Sequence, residues 1–226
     1  MKEYLLHIET ATTNCSVALS NKEELVYCKE HNEPDFRHSD YLHLFIENTL
    51  KEAGVSIQSL AGVGVSMGPG SYTGLRIGVS SAKGICYAND IPLIAVNTLE
   101  VLAQQCQVEE GAYILPMIDA RRMEVFTMTL DAKRKVVQPT AAKILTQEWA
   151  MELPEGEKVI IGSGAEKCQE VFVGNEFDYR MEIRVPSARD MVELVHQKFK
   201  TQQWEDVAYF EPFYLKDFYT NSVKKG

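Results

Sequence analysis

The strongest constraint on this 226-residue chain is that its two halves predict the same order of secondary structure. In residues 4–106, short apolar runs split by polar turns predict three strands, after which helical periodicity alternates with buried strands. Residues 113–203 repeat this βββαβαβα order at an offset of roughly 110 residues, far longer than a solenoid repeat. We therefore predict two similar α/β lobes, residues 1–108 and 109–226, with a cleft between them. The last helix is placed so that it can pack back on the first lobe.

The boundaries of these elements follow from periodicity, turn residues and helix caps. The predicted strands are residues 4–9, 15–20, 24–30, 60–67, 92–96, 113–119, 124–130, 135–138 and 181–185, with a strand and glycine loop at 158–165. The predicted helices are one capped by Ser39 and stopped at Gly54, then 74–88, 98–106, 146–152 and 165–173, and one capped by Ser187 that runs to about 203.

Composition excludes several classes of protein. Five cysteines, never closer than 13 residues apart, give neither a CxxC pair nor a disulfide framework, and we expect buried thiols. Neither a membrane-spanning run nor a signal peptide is visible, so we expect a cytoplasmic protein. A net charge of −9 disfavours a solitary nucleic-acid reader, because such a field repels phosphate. The basic run at 133–135 is better explained as a solvated hairpin turn.

Particular motifs narrow the fold further. Two βββαβαβα lobes describe the two-lobed actin/hexokinase/Hsp70-like α/β fold, and five segments between Tyr4 and about Asp217 resemble the TsaB (YeaZ) family. These segments are IETATTNCSVAL, HSDYLHLFIENTL, GPGSYTGLRIGVSSAKGICYANDIPLIAVNTLE, IDARRMEVF and EPFYLKD. The resemblance implies a subunit of the bacterial machinery that makes N6-threonylcarbamoyladenosine in tRNA. It also implies pairing with the catalytic relative TsaD, a TsaE-like ATPase as a further partner, and tRNA contact only through the complex.

The glycine-rich segment at 66–78 could cradle a phosphate, form a strained nucleophile turn, or feed a helix. It is not a Walker A loop, because Leu75 and Arg76 follow Gly74 where Lys-Ser/Thr is required. The next strand ends without the acidic residue that a Rossmann site places on the ribose. We favour a structural tight turn at Gly68, Gly70 and Gly74. In ATP-using members of the fold the first hairpin contributes near the phosphates, so residual nucleotide contact stays open at these positions: Glu9, Thr10, Thr12, Gly68 and Gly70.

Metal and hydrolase chemistry find little support in the residues. By resemblance, the two metal-binding histidines of TsaD correspond to Thr98 and Leu102, neither of which can replace an imidazole, so we predict no metal site. The spacing of His38 and His43 is better explained by a solvated helix start. A peptidase would need Ser71 close to His196, and Ser71 lacks the Gly-x-Ser-x-Gly frame. Asp119, Arg121 and Glu124 are interpreted as a structural ion-pair turn.

The helix behind the glycine loop points to a different role. Its core face is predicted to carry Leu75, Gly78, Val79, Ala82 and Cys86. Its opposite face and the outward face of the first helix carry small and apolar residues where charge is expected, namely Tyr41, Leu44, Ile77, Ser80, Ser81, Gly84 and Tyr87. We predict a two-helix docking patch for a TsaD-like partner, or for a second copy when that partner is absent. The chain is then a non-catalytic subunit with no cofactor of its own, and ATP can bind at the partner interface. The runner-up is a stand-alone actin-like ATP-binding phosphotransferase.

Overall fold

The computed structural model describes residues 3–33 and 38–216, which form ten strands and six α-helices. Asp217, the last residue of the C-terminal motif, lies outside these residues. The predicted start of the first lobe at residue 1 and the predicted end of the second lobe at residue 226 also lie outside them. The strands are β1 (Tyr4–Glu9), β2 (Asn14–Asn21), β3 (Glu24–Asn32), β4 (Leu60–Gly68), β5 (Leu93–Asn97), β6 (Tyr113–Asp119), β7 (Glu124–Asp131), β8 (Val136–Ile144), β9 (Lys158–Ile161) and β10 (Phe177–Tyr179). The helices are α1 (His38–Ala53), α2 (Tyr72–Asn89), α3 (Thr98–Ala103), α4 (Gln147–Met151), α5 (Ala165–Gln169) and α6 (Val192–Lys200).

The strands form two five-stranded mixed sheets with equivalent orders, β3-β2-β1-β4-β5 and β10-β9-β6-β7-β8. In each sheet the central strand pairs antiparallel with the strand that follows it and parallel with the fourth strand of its half. The predicted duplication of an actin/hexokinase/Hsp70-like α/β fold is therefore confirmed. The turn after β1 and the turn after β6 occupy equivalent places.

Helices cover both faces of the first sheet. A Cβ added to Gly78 of α2 would lie 3.6 Å from Ile8, so Ile8 points towards α2. Gly64, which pairs with His7 across β1 and β4, faces Val195 of α6 instead. Because neighbouring residues of a strand point to opposite faces, α2 and α6 lie on opposite sides of the sheet.

The two halves are tied together by an exchange of helices. Leu99 and Leu102 of α3 pack into the apolar core of the second sheet with Ile114 and Val159. In return, Val195 and the residues just before α6 pack on the first sheet. Burial of these apolar side chains ties each half to a helix of the other. Within the described ranges, no helix combines the length and apolar character needed to cross a membrane.

Several predicted boundaries were wrong. The fifth strand of the second half is β10 at 177–179 rather than 181–185, because the chain pairs with β9 at Phe177 and then turns, with Ile183 donating to Arg180. Ser39 lies inside α1, where its hydroxyl contacts Asp40, and does not cap the helix. The last predicted helix begins as a 3-10 turn at Ala188–Met191, although Ser187 does cap it. The basic hairpin turn at 133–135 is confirmed.

Candidate functional site

The turn after β1 ends in a buried carboxylate. Glu9 is fully buried and accepts a hydrogen bond from the Ala11 N–H at 2.6 Å, while its second oxygen has no hydrogen-bond partner. The pKa of Glu9 is raised to about 7, chiefly by burial; Ser66 and the Ala11 N–H lower it in part, and the Asp190 carboxyl adds a smaller upward effect. Such a group is costly to ionise, so it differs from a solvated ligand of a nucleotide-bound cation.

The two threonines proposed for nucleotide contact make internal hydrogen bonds. The Thr10 hydroxyl donates to the Gly74 carbonyl at 2.7 Å, and the Thr12 hydroxyl accepts from the Asn14 N–H at 3.4 Å. Both side chains are buried. The structure thus brings Glu9, Thr10 and Thr12 together inside the first half, where they brace the turn against α2.

The glycines of the loop after β4 let the two turns touch. A Cβ at Gly70 would overlap the carbonyl of Ala11, and a Cβ at Gly74 would overlap the carbonyl of Thr10. The Ser71 N–H donates to the Ala11 carbonyl at 2.7 Å, and the Ser71 hydroxyl caps α2 by accepting from Gly74. Gly70 and Gly74 therefore serve the close packing of α2 against the first turn.

Gly68 has a different requirement. Its φ of +116° lies in the region that favours glycine, and a Cβ there would stand 2.7 Å from the Phe213 carbonyl. The Phe213 N–H donates to Met67 at 2.7 Å, so the C-terminal segment runs directly along this turn.

The positions matched to metal ligands are structural. The hydroxyl of Thr98 lies 2.9 Å from that of Ser66, and Leu102 is buried in the core between the halves. Among the residues that the structure describes, no group of three or more His, Cys, Asp or Glu side chains is arranged to hold a metal ion.

The residues needed for a peptidase lie apart. His196 lies on α6, where its Nε2 is 3.4 Å from a carboxylate oxygen of Glu23. The neighbouring His7 is buried, and burial together with the charge of His196 lowers the pKa of His7 to about 3. Ser71 precedes α2, on the other face of the first sheet. A general base must reach its nucleophile, and a sheet separates these two.

The turn after β6 is held by a lysine rather than by an arginine. Lys167 lies 2.9 Å from Asp119, and it also donates to the carbonyls of Arg122 and Glu124. Arg121 contributes its backbone N–H to Asp119 at 2.6 Å, and Glu124 pairs with Lys216. The predicted ion-pair turn therefore exists, but its partners are lysines that the sequence interpretation missed.

The outward residues of α1 and α2 form a strip, which we call the docking face: Leu44, Ser80, Gly84 and Tyr87, which are exposed, and Ile77 and Ser81, which are half-buried. Leu44 is 55% exposed and Tyr87 is 84% exposed. A Cβ at Gly84 would meet nothing within 4 Å. Tyr41, predicted to point outward, instead stacks on Phe45 at 5.6 Å and on His31 at 4.7 Å, because β3 lies beside that turn of the helix. Ile77 also packs partly on the core.

A C-terminal strap, residues 201–216, borders the docking face and was not anticipated. Lys83 of α2 donates to the carbonyls of Ala208 and Phe210 at 3.1 and 2.9 Å. Arg76 donates to the Tyr214 hydroxyl at 3.2 Å. The aromatic residues of the C-terminal motif were the one sequence feature that could have indicated this contact with α2. They show no periodicity, so the contact could not be predicted from them.

Two duplicated lobes, each with a five-stranded mixed sheet of the same strand order, define a two-lobed α/β fold of the actin/hexokinase/Hsp70-like kind. The family model of TsaD, tRNA N6-adenosine threonylcarbamoyltransferase, matches residues 34–219. The tRNA threonylcarbamoyladenosine biosynthesis protein TsaB of Escherichia coli is 30% identical over 94% of this chain and 94% of its own length. TsaB of Bacillus subtilis is 29% identical over 71% and 70%. The chain belongs to the TsaB family, within the wider family that the TsaD model describes.

The solved structures agree on the fold. YeaZ from Pseudomonas aeruginosa superposes with a TM-score of 0.80 at 24% identity, covering 94% of this chain and all of that one. A second structure, described as an uncharacterized P. aeruginosa protein with similarity to peptidase YeaZ, gives a TM-score of 0.81 at the same identity, over 95% and 100%.

Proposed function

We propose that this chain is a non-catalytic subunit of the machinery that forms threonylcarbamoyladenosine in tRNA, and that its docking face holds the TsaD-type catalytic subunit. Its relatives are named as biosynthesis proteins of this modification. In this proposal the chain pairs with a second copy when the TsaD-type protein is absent. A TsaE-like ATPase joins the complex in the cytoplasm, and tRNA is modified on the TsaD-type subunit.

The observation that carries this proposal is the docking face. An exposed tyrosine, an exposed leucine and an unobstructed glycine on adjoining long helices suit a helix-on-helix contact, because small residues let backbones approach and large ones anchor the interface. A two-fold axis through such a face yields a four-helix contact, which a homologous partner can complete equally well.

The interior of the chain supports a non-catalytic role. Thr98 and Leu102 serve packing, and the turn after Glu9 packs closely against α2. We propose that the chain holds no cofactor of its own and that nucleotide binds where partners meet. The runner-up, an actin-like phosphotransferase, requires ATP turnover by the purified chain alone, and this can be measured directly.

The test is co-purification with the TsaD-type protein of the same organism. Ser81→Arg places a charge in the docking face, where association would bury it unpaired while the monomer leaves it in water. We expect this variant to fold and to lose the partner. Gln169→Arg, which adds the same charge to the exposed side of α5, should pair as wild type does. Normal pairing of Ser81→Arg, or ATP turnover by the chain alone, would contradict the proposal.

A further inference from the structure

Two arginines stand at the tip of the turn after β6. Arg121 and Arg122 have φ values of +69° and +51°, so both lie in the left-handed region where glycine or asparagine fits with less strain. Both side chains are exposed. We call residues 120–123 the arginine turn. Two long cationic side chains at positions where glycine or asparagine fits with less strain point to a use for the guanidinium groups.

The turn is rigidly supported from beneath. Lys167, whose side chain is only 14% exposed, bridges the Asp119 carboxylate and the carbonyls of Arg122 and Glu124. The Asp119 N–H donates to the Ser163 hydroxyl at 3.1 Å, and the Ala120 N–H donates to the Glu124 carbonyl at 3.0 Å. The two arginines are thus presented on a fixed backbone, which lowers the entropy lost on binding.

Local charges leave the arginines uncompensated. Three carboxylates near the turn are paired with three cations: Asp119 with Lys167, Glu124 with Lys216 and Glu166 with Arg184. No ion pair involving the side chain of Arg121 or Arg122 is found in the described part of the chain. The turn therefore carries two unbalanced positive charges on a protein whose net charge is −9.

The other hairpin of the second sheet shows what a structural arginine does. Arg134, with a φ of +58°, occupies the turn between β7 and β8. Its guanidinium donates to the carbonyls of Ala103, Gln104 and Cys106 at 3.2–3.4 Å and so fixes the end of α3. Among the described residues, the side chains of Arg121 and Arg122 make no such contacts, although they occupy an equally constrained backbone.

We propose that the arginine turn binds the phosphate backbone of the tRNA while it is held by the TsaD-type partner. This inference rests on the proposed function for the presence of tRNA. Guanidinium groups form paired, charge-assisted hydrogen bonds to phosphate oxygens, and such contacts position a nucleic acid without reading its sequence. A subunit with a net charge of −9 repels RNA brought close to it, and two exposed cations at one point offset that repulsion where the RNA passes.

The test is a titration of the reconstituted complex with a tRNA transcript that carries the target adenosine. Arg121→Ala/Arg122→Ala should weaken binding about fivefold to thirtyfold near 0.1 M salt and reduce the slope of log K against log salt by about 1 to 2. Lys133→Ala/Lys135→Ala removes the same charge from the opposite end of β7 and should change affinity less than about twofold. Thermal melting of each variant establishes that the fold is retained.

The outcomes separate the two proposals. Equal affinity and equal salt slope for the arginine variant and wild type would overturn the RNA contact. Loss of the TsaD-type protein from the arginine variant in a pull-down would also overturn it, because the turn would then be a protein contact. Failure of the wild-type chain to pair contradicts the proposed function only, and the same titration on the chain alone then decides the role of the turn.

Discussion

The two halves of the chain share an element order but differ in the length of their first two helices. α1 and α2 have 16 and 18 residues, whereas their counterparts α4 and α5 have five each. The short helices α4 and α5 cover the equivalent face of the second sheet. The docking face lies on the outer side of these longer helices, α1 and α2, a surface that the short helices of the second half do not provide.

The two halves also differ at the acidic residue that ends their central strand. Glu9, at the end of β1, is fully buried, whereas the equivalent Asp119, at the end of β6, is half exposed and paired with Lys167. The glycine turns, in contrast, are alike: Gly70 and Gly74 lie against the Thr10–Ala11 backbone, and Gly162 lies against the Met117 carbonyl. The shared turns serve packing, and the differing surfaces are where function is expected.

The largest expected effect comes from charging an exposed apolar residue in each half. Leu44→Arg on α1 should weaken self-association and partner binding by about 3 kcal/mol or more, roughly a hundredfold, because the charge would be buried unpaired. Met151→Arg on α4 alters a side chain that is 72% exposed and should leave association unchanged. Light scattering after size exclusion measures both. An equal loss of association in the two variants would mean that the longer helices of the first half are not what distinguishes it as the binding half.

The next effect concerns the packing that both halves share. In Gly74→Ala the added Cβ would overlap the Thr10 carbonyl, so we expect a loss of about 2–3 kcal/mol in the free energy of unfolding. Urea denaturation followed by circular dichroism measures this loss. An unchanged midpoint would show that the first turn can move away from α2.

Much of this arrangement was predictable from the sequence, for a definite physical reason. Periodicity is local, so the element order and the buried face of α2, including Leu75 and Val79, were predicted correctly. The failures depended on distant parts of the chain. Strand β10 is defined by pairing with β9, Tyr41 is drawn inward by His31 of β3, and the strap is held by Lys83 through backbone carbonyls. Because Lys83 contacts backbone carbonyls, the side chains of the strap show no sequence pattern from which this contact could be predicted.

The buried acid of the first half gives a pH-dependent prediction. The pKa of Glu9 is raised by burial to about 7, so the folded state binds a proton that the unfolded state releases between about pH 4.5 and 7. The contribution of Glu9 to stability should fall as the pH rises through this window, while buried His7, with its pKa lowered to about 3, acts in the opposite direction below about pH 6.5. Glu9→Gln removes the cost of ionising Glu9 and should be more stable than wild type at pH 8 by about 2 kcal/mol, an advantage that shrinks as the pH falls towards 4.5.

A second substitution at this position separates titration from hydrogen bonding. Glu9→Leu should also remove the pH dependence due to Glu9, but it leaves the Ala11 N–H unpaired and should be less stable than Glu9→Gln by about 1–3 kcal/mol at every pH. Thermal melts from pH 4 to 8 measure both variants. A stability difference between wild type and Glu9→Gln that stays constant over this pH range would contradict the buried-acid interpretation.

The smallest effect tests whether α2 is shaped for its own sheet or for a partner. Gly84 lies on the docking face, where an added Cβ meets nothing within 4 Å. In an isolated chain Gly84→Ala should therefore stabilise the helix by about 0.5–1 kcal/mol, because alanine loses less backbone entropy than glycine. If the glycine instead admits the backbone of a neighbouring helix, the same methyl group should weaken association while the monomer melts at a higher temperature. Opposite signs in the two measurements would locate the role of Gly84 in the complex. An increase in both the melting temperature and the strength of association would place the close approach of the helices elsewhere on the docking face. Where two backbones must touch, an added methyl group can stabilise the monomer but cannot also strengthen association.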